Sequence, residues 1–219
     1  MSSVVKKIVV ATGNPGKLKE LRSMLDADIE WLGLSDFPNI REVPEDGKTF
    51  AENARKKALG YAKQTGLWTL ADDSGLVVDA LGGRPGVKSA RFAECLPPRH
   101  QDTKKNREEI DRRNFEKVLK LLKDVPKEKR TARFVCCLCL ANKEKILIET
   151  EGVLEGFIIE QPIGENGFGY DPVFFVPKLN KTVAQLTAKE KNSISHRGNA
   201  ILRFKPLFEK LLRELREAI

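Results

Sequence analysis

The sequence predicts an α/β fold built on a mixed, twisted sheet flanked by helices. Three observations predict it. Short apolar runs alternate with segments of helical period along all 219 residues. KKIVVA (6 to 11) leads through the glycine turn TGNPGK (12 to 17) into KLKELRSML, where Leu18, Leu21 and Leu25 recur at helical spacing, as at a strand-to-helix junction. TARFVCCLCLA, the polar turn Asn142-Lys143-Glu144 and KILIETEGVLEGFI read as an antiparallel hairpin, so the sheet is mixed rather than wholly parallel.

Strands are expected at 4–11, 67–71, 76–79, 131–141, 145–153 and 173–176, and helices at 16–26, 49–65, 108–123 and 198–218. The second helix is the best marked: Thr49 and Glu52 form a T-x-x-E capping box, and Gly66 supplies a left-handed stop. Phe50, Ala54, Ala58 and Tyr61 share its inward stripe, with Asn53 and Lys57 on the border of that stripe. The last helix places Leu207, Leu211 and Leu215 on one face, a stripe for packing that would equally serve a dimer. With no internal repeat or low-complexity linker, residues 1–219 read as a single domain that can bury one substantial core, or one core drawn into two lobes around a cleft.

The formal charge of +8 admits an acidic partner such as nucleic acid, yet much of the excess falls in RHQDTKKNREEIDRRNFEK, where acids interleave with bases as on a solvated helix. No nucleic-acid motif accompanies it. Cys136, Cys137 and Cys139 sit in FVCCLCL while Cys95 stands alone, without the paired spacing of a zinc site. Alternation puts Cys137 and Cys139 on one strand face and Cys136 on the other, as small hydrophobes suited to a reducing compartment. No apolar run approaches the roughly 18 residues of a spanning helix, and the N-terminal run breaks too early for a signal peptide. The expectation is a soluble cytoplasmic protein.

Several groups suit chemistry. At the turn Thr12, Gly13, Asn14, Pro15, Gly16 and Lys17, open helix N–H groups and the Lys17 ammonium suit phosphate oxygens. Structurally, Asn14 is also a good N-cap, Pro15 fits the first helical position and Gly13 permits the bend. In ADDSG, adjacent Asp72 and Asp73 after an apolar run must point to opposite sides, so one of them faces a given ligand. Such a carboxylate followed by Ser74 suits a hard cation or a proton acceptor, and the same residues also suit a plain Asp/Ser turn. Glu45 or Asp46 would join one of these aspartates around Mg²⁺, or complement the dipole of the capped helix. In GENGFGYDP, glycines flanking Phe168 free its ring to stack on a base, and Asp171 before Pro172 is held extended. His196 and Arg197 stand just before the last helix, where capping is their plainer role, and His100 lies in the charged segment.

At these residues the chain resembles the inosine triphosphate pyrophosphatase family, whose members cleave non-standard purine nucleoside triphosphates to monophosphate and pyrophosphate. TGNPGK, PEDGKTFAENA, ADDSGLVVDALGGRPGVKSARF, GENGFGYDPVF and EKNSISHR carry the resemblance, in family order from about residue 6 to 204. It implies that Thr12 to Lys17 bind the triphosphate, that Glu45 and Asp73 organise Mg²⁺, and that Asp73 accepts a proton. It further implies that Ser74 contacts substrate and that Phe168, Gly169, Tyr170, Asp171, Lys191, His196 and Arg197 form the nucleotide pocket, with Asn53 and Lys57 near the phosphates. The family fold is an elongated, two-lobed α/β protein, usually a homodimer. Two departures stand out: residues 95 to 113 are longer and more charged than the family pattern, and Gln185 replaces the more common acid of AEL.

With the roles that the resemblance implies, the expected reaction is water attack with Asp73 as base while Mg²⁺ and Lys17 neutralise the polyphosphate. Hypoxanthine and xanthine offer an acceptor at O6 and a donor at N1, the reverse of adenine. A donor from His196 or Arg197 and an acceptor from Asp171 or a backbone carbonyl would therefore discriminate. The alternatives are a pyrophosphatase for pyrimidine or methylated nucleotides, and a basic nucleic-acid-binding module.

Overall fold

Parallel pairing at the start of the chain follows from the order of its elements. In the computed structural model, which describes residues 7–25, 29–93 and 104–217, β1 (Lys7–Ala11) runs into α1 (Pro15–Met24). The chain returns as β2 (Glu30–Gly33), parallel to β1 with Ile8 opposite Trp31. After α2 (Phe50–Thr65), β3 (Trp68–Val78) lies parallel along the other side of β1, Val10 facing Leu70 and Ala11 facing Ala71. Both returns pass through helix-bearing crossovers, the condition for parallel neighbours.

β4 (Thr131–Ala141) and β5 (Ile146–Ile158) are joined by the expected tight turn, in which the Asn142 side chain accepts from the N–H groups of Glu144 and Lys145. Antiparallel β6 (Phe174–Val176) and β7 (Lys181–Thr182) complete a sheet of order β2-β1-β3-β4-β5-β6-β7. The remaining helices are α3 (Lys104–Leu121), α4 (Ala188–Ile194) and α5 (His196–Glu217). Among the described residues no helix is long and apolar enough to cross a membrane.

The chain forms two units, and β3, β4 and β5 each contribute residues to both. The first contains the chain up to Asp73, Cys136–Val153 and Ser195 onward. Its core joins Ile8 and Val10 of β1, Leu21 of α1, Leu70 of β3, Cys136, Leu138 and Leu140 of β4, and Ala200, Ile201, Phe204 and Phe208 of α5. Cys136, Leu138 and Leu140 alternate into that core, so Cys137 and Cys139 face the other way, and all three cysteines are buried as expected. The second unit, Ser74–Val135 and Leu154–Ile194, packs Leu76 and Val78 with Val118, Phe134, Leu154, Ile158, Val173 and Phe174.

Three local outcomes differ from expectation. The two short strands expected around DDSG are one strand, β3, because Gly75 lets the chain stay extended where a Cβ would meet Ser89 Oγ at 2.3 Å. On α5 the buried stripe is Ala200, Ile201, Phe204 and Phe208, leaving Leu207 exposed. Phe204 stacks on Phe208 along this stripe with 5.2 Å between ring centroids. Asn53 and Lys57, expected on the border of the α2 stripe, are buried within it. At Gly152 on β5 a Cβ would lie 2.1 Å from the His196 carbonyl oxygen and 2.3 Å from Ala200 N, so the first turn of α5 rests directly on strand backbone.

At the ends of α2 half of the expected capping box forms: Thr49 Oγ1 accepts from Glu52 N at 3.1 Å, but the Glu52 carboxylate accepts from Lys48 N, one residue before the cap, while Gly66 closes the helix as expected at φ 71°. Thr49→Ala is expected to lower the unfolding free energy by about 1 kcal/mol, measured by urea denaturation.

Candidate active site

The chemistry-bearing groups of the first unit gather where β3 delivers two adjacent carboxylates. Extended geometry sends them to opposite sides, and their surroundings differ accordingly. Asp72 is 1% exposed. Its Oδ1 lies 2.5 Å from Lys17 Nζ of α1, and its Oδ2 accepts from Arg197 Nε of α5 at 3.0 Å and from the Cys136 thiol of β4 at 3.0 Å. Glu20, one turn along α1 from Lys17, pairs with Arg197 Nη1. Asp73 accepts instead from α2: Lys57 Nζ reaches its Oδ1 at 3.0 Å and Asn53 Nδ2 its Oδ2 at 3.3 Å. Lys57 also donates to the Asp72 carbonyl at 2.8 Å and stands 3.5 Å from Glu45 Oε1. Asn53 Oδ1 accepts from Gly47 N at 2.7 Å, which ties the Glu45 segment to the same helix.

These surroundings drive the two acidities apart. Burial opposes ionisation of Asp72, but the Arg197 and Lys17 charges, with the Cys136 hydrogen bond, outweigh it and hold this carboxyl well below its ordinary value. For Asp73 burial prevails over Lys57 and Lys17, and its acidity is weakened. Lys57 is buried too, but Asp73, Glu45 and Asp72 keep its ammonium protonated and raise its pKa. Burial and Asp72 push the Cys136 thiol well up, so it serves as a neutral donor and not as a nucleophile.

The TGNPGK turn is capped internally. Asn14 Oδ1 accepts from Gly16 N at 2.8 Å and Lys17 N at 3.2 Å, Thr12 Oγ1 accepts from Asn14 N, and Pro15 opens α1. The N–H groups read as open to an anion at Gly16 and Lys17 are therefore held by Asn14, the N-cap role that the sequence also allowed.

The second unit carries its own polar cluster around Phe168. Asp171 Oδ2 accepts from Phe168 N at 2.9 Å and from Lys191 Nζ at 2.6 Å, and that ammonium lies 4.4 Å from the centre of the Phe168 ring. Gly167 is at φ 82°, and a Cβ there would meet Asp171 Oδ2 at 2.0 Å, so glycine is required twice over. Tyr170 OH donates to Ser89 O at 2.7 Å, and Ser74 follows Asp73 on β3, half-buried. His196 and Arg197 open α5 in the first unit, where Ser195 caps the helix by accepting from Gly198 N.

A sequence model of the Ham1 family matches residues 8–207. The chain belongs to the Ham1 family. A Ham1 relative from Bacillus cereus, named dITP/XTP pyrophosphatase, is 47% identical over 200 residues, covering 90% of this chain and 92% of its own. The Bacillus subtilis protein of the same name is 44% identical over 207 residues, covering 94% and 98%. The solved Staphylococcus aureus Ham1 protein superposes with a TM-score of 0.78 at 38% identity, covering 94% of this chain and 99% of its own. The resemblance carried by the motifs is thus a family membership, and the mixed sheet is the Ham1 fold.

Within this Ham1 chain, Lys17, Glu45, Asp73, His196 and Arg197 fall in the first unit with Asn53 and Lys57, while Phe168 to Asp171 and Lys191 fall in the second. Two expected base contacts have other partners. The Arg197 guanidinium, 1% exposed, binds Asp72 and Glu20, and the Asp171 carboxylate binds Phe168 N and Lys191. Glu45 reaches the Lys57 ammonium that Asp73 also binds, whereas Asp46 pairs with Lys56 at the surface. Sequence reasoning passed over Glu20, although its spacing from Lys17 on one helix face was an available signal, and it placed Cys136 by strand alternation but as a small hydrophobe rather than a donor to Asp72. His100 and Cys95 lie outside the described residues.

Arg197→Met leaves Asp72 buried with less counter-charge and is expected to cost about 3–5 kcal/mol of stability. Since Asp72 is more acidic folded than unfolded, its contribution is present above the ordinary value of 3.8 and fades as pH falls below it. Acid denaturation of the Arg197→Met variant should therefore show a flatter dependence in that range than the native protein.

Proposed function

We propose that this chain hydrolyses deaminated purine nucleoside triphosphates, among them dITP, ITP and XTP, to the nucleoside monophosphate and pyrophosphate. The observation that carries the reading is the pair of adjacent carboxylates with separate partners, Asp72 locked by Lys17, Arg197 and Cys136 and Asp73 held by Lys57 and Asn53, surroundings that drive their acidities apart. Sites that separate two carboxyls in this way assign one to charge and the other to proton transfer. The relatives named dITP/XTP pyrophosphatase point to the same substrates.

In this reading Asp73 is the proton acceptor. Its raised pKa brings it closer to that of a useful base, and Asn53 and Lys57 fix its orientation. As water oxygen bonds to phosphorus, Asp73 takes the proton, the P–O bond between the α- and β-phosphates breaks and pyrophosphate leaves with the electron pair. Lys57 and Lys17 offset charge on the phosphoryl oxygens, and Asp72 keeps Lys17 in place.

The donor set suits Mg²⁺. Glu45 and Asp73 carry hard oxygen donors that converge on a single positive charge, the Lys57 ammonium, at 3.5 and 3.0 Å. Mg²⁺ commonly takes one or two carboxylates and completes its shell with water and phosphate. Glu45 and Asp73 would hold it, and it would supply charge neutralisation to the polyphosphate.

Phe168, half-buried under Lys191, offers its ring to a purine, with Gly169 and Tyr170 shaping the loop. His196 is assigned to O6 of the base, Ser74 to the substrate, and Arg197 and Asp171 act through the neighbours they hold. The turn from Thr12 to Lys17 faces the polyphosphate through Lys17 rather than through the Gly16 and Lys17 N–H groups. The reading includes a single domain over 1–219, a homodimer, a cytoplasmic location and a free nucleotide substrate without membrane or specific nucleic-acid partner.

Asp73→Asn is expected to lower kcat by about 10²–10⁴-fold while the thermal melt stays near native. A panel of nucleoside triphosphates with Mg²⁺, scored for pyrophosphate against orthophosphate, should show dITP and XTP far ahead of ATP; equal turnover of ATP rejects the purine assignment. Lys57→Gln removes the leading charge that keeps Asp73 ionised, so the acid limb of its kcat/KM profile should move to higher pH at fixed Mg²⁺.

A further inference from the structure

The acidic residues of α3 do not share one environment. Glu109 pairs with Arg112 and Arg113 on the solvent side, as a charged surface helix should. Asp111 points inward instead, and its Oδ2 accepts from Gly169 N at 2.7 Å, across 58 residues of sequence. The same helix face carries two further staples. Asn114 Oδ1 accepts from Ala93 N at 2.8 Å while its Nδ2 donates to Ala90 O at 3.2 Å, and Lys117 Nζ donates to Phe92 O at 2.7 Å. Tyr170 closes the circuit through its bond to Ser89 O, and Ser89 is anchored in turn to Leu76 N and Gly86 O.

A ring of bonds thus runs from Asp111 through Gly169 and Tyr170 to Ser89, and back through Ala90 and Asn114. Within it, two consecutive N–H groups are clamped by two carboxylates, Phe168 N by Asp171 and Gly169 N by Asp111. The peptide that carries the Phe168 ring has little freedom left. Burial, with the charge of Asp171 behind it, weakens the acidity of Asp111, as its inward placement requires.

We propose that Asp111 is a positioning residue for purine binding, holding the Phe168–Gly169 peptide where the ring meets the base. This rests on the reading of Phe168 as the base platform. A platform displaced by an ångström loses contact with the base and not with the phosphates, so the effect falls on binding.

The test compares steady-state kinetics with dITP and Mg²⁺ for the native protein, Asp111→Ala, Asp111→Asn and Lys117→Met. Asp111→Ala should raise KM about tenfold with kcat within about twofold, the size of one lost charge-assisted hydrogen bond. Asp111→Asn keeps an acceptor oxygen and should restore KM to near native. Lys117→Met removes a staple remote from Gly169, so it should lower the melting temperature and leave KM unchanged. If Asp111→Ala does not fold, Asp111→Ser carries the same expectation, because its hydroxyl is too short to reach Gly169. A native KM in Asp111→Ala or Asp111→Ser overturns the positioning role alone, as does a loss confined to kcat or a KM change shared by Lys117→Met. Native protein that releases no pyrophosphate from dITP overturns the functional reading, and the binding role of Asp111 with it.

Discussion

A carboxylate without water must find cations, and Asp72 organises the first unit on that condition. It sits on β3 with essentially no exposure, and its neighbours come from separate parts of the chain: Lys17 from α1, Cys136 from β4 and Arg197 from α5. None of these contacts is local in sequence, so the ion network forms only when the helices have docked. Because an uncompensated buried charge is so costly, the network also specifies which docking is acceptable.

The same network leaves its neighbour in a different state. Arg197 and Lys17 act first on Asp72, while Asp73 depends on Lys57, which is shared with Glu45 and the Asp72 carbonyl. One peptide bond therefore separates a permanent anion from a carboxyl that gives up its proton less readily. Strand geometry produces this contrast: successive side chains leave opposite faces of β3 and enter different electrostatic surroundings.

Much of the fold was legible in the sequence, because its strong elements agree at every level. The capped α2, the β4–β5 hairpin and the strand-to-helix junction at Asn14 combine pattern, turn chemistry and capping. β2 and β7 were not anticipated, being short strands of four and two residues, and the seven-residue α4 was missed for the same reason. At the site, Lys17, Asp73 and Glu45 were recognisable as residue types, but the partner of each was not. Arg197 was placed toward a ligand by the family resemblance, while its position beside His196 suggested only capping; burial pairs it with Glu20 and Asp72, partners that no local pattern announces. Asp111 was hidden among surface charges, since only the fold distinguishes the acid that faces inward from those that face water.

The bare backbone at Gly152 links this electrostatics to a strand that carries none of it. The helix that bears His196 and Arg197 begins its first turn against that glycine, within a methyl group's reach. Crowding at this point would lift the guanidinium from its counter-ion, so a lesion that is purely steric in origin would present as a charge defect, sensitive to acid and to salt. The spacing of two backbones thus governs a protonation state on another strand.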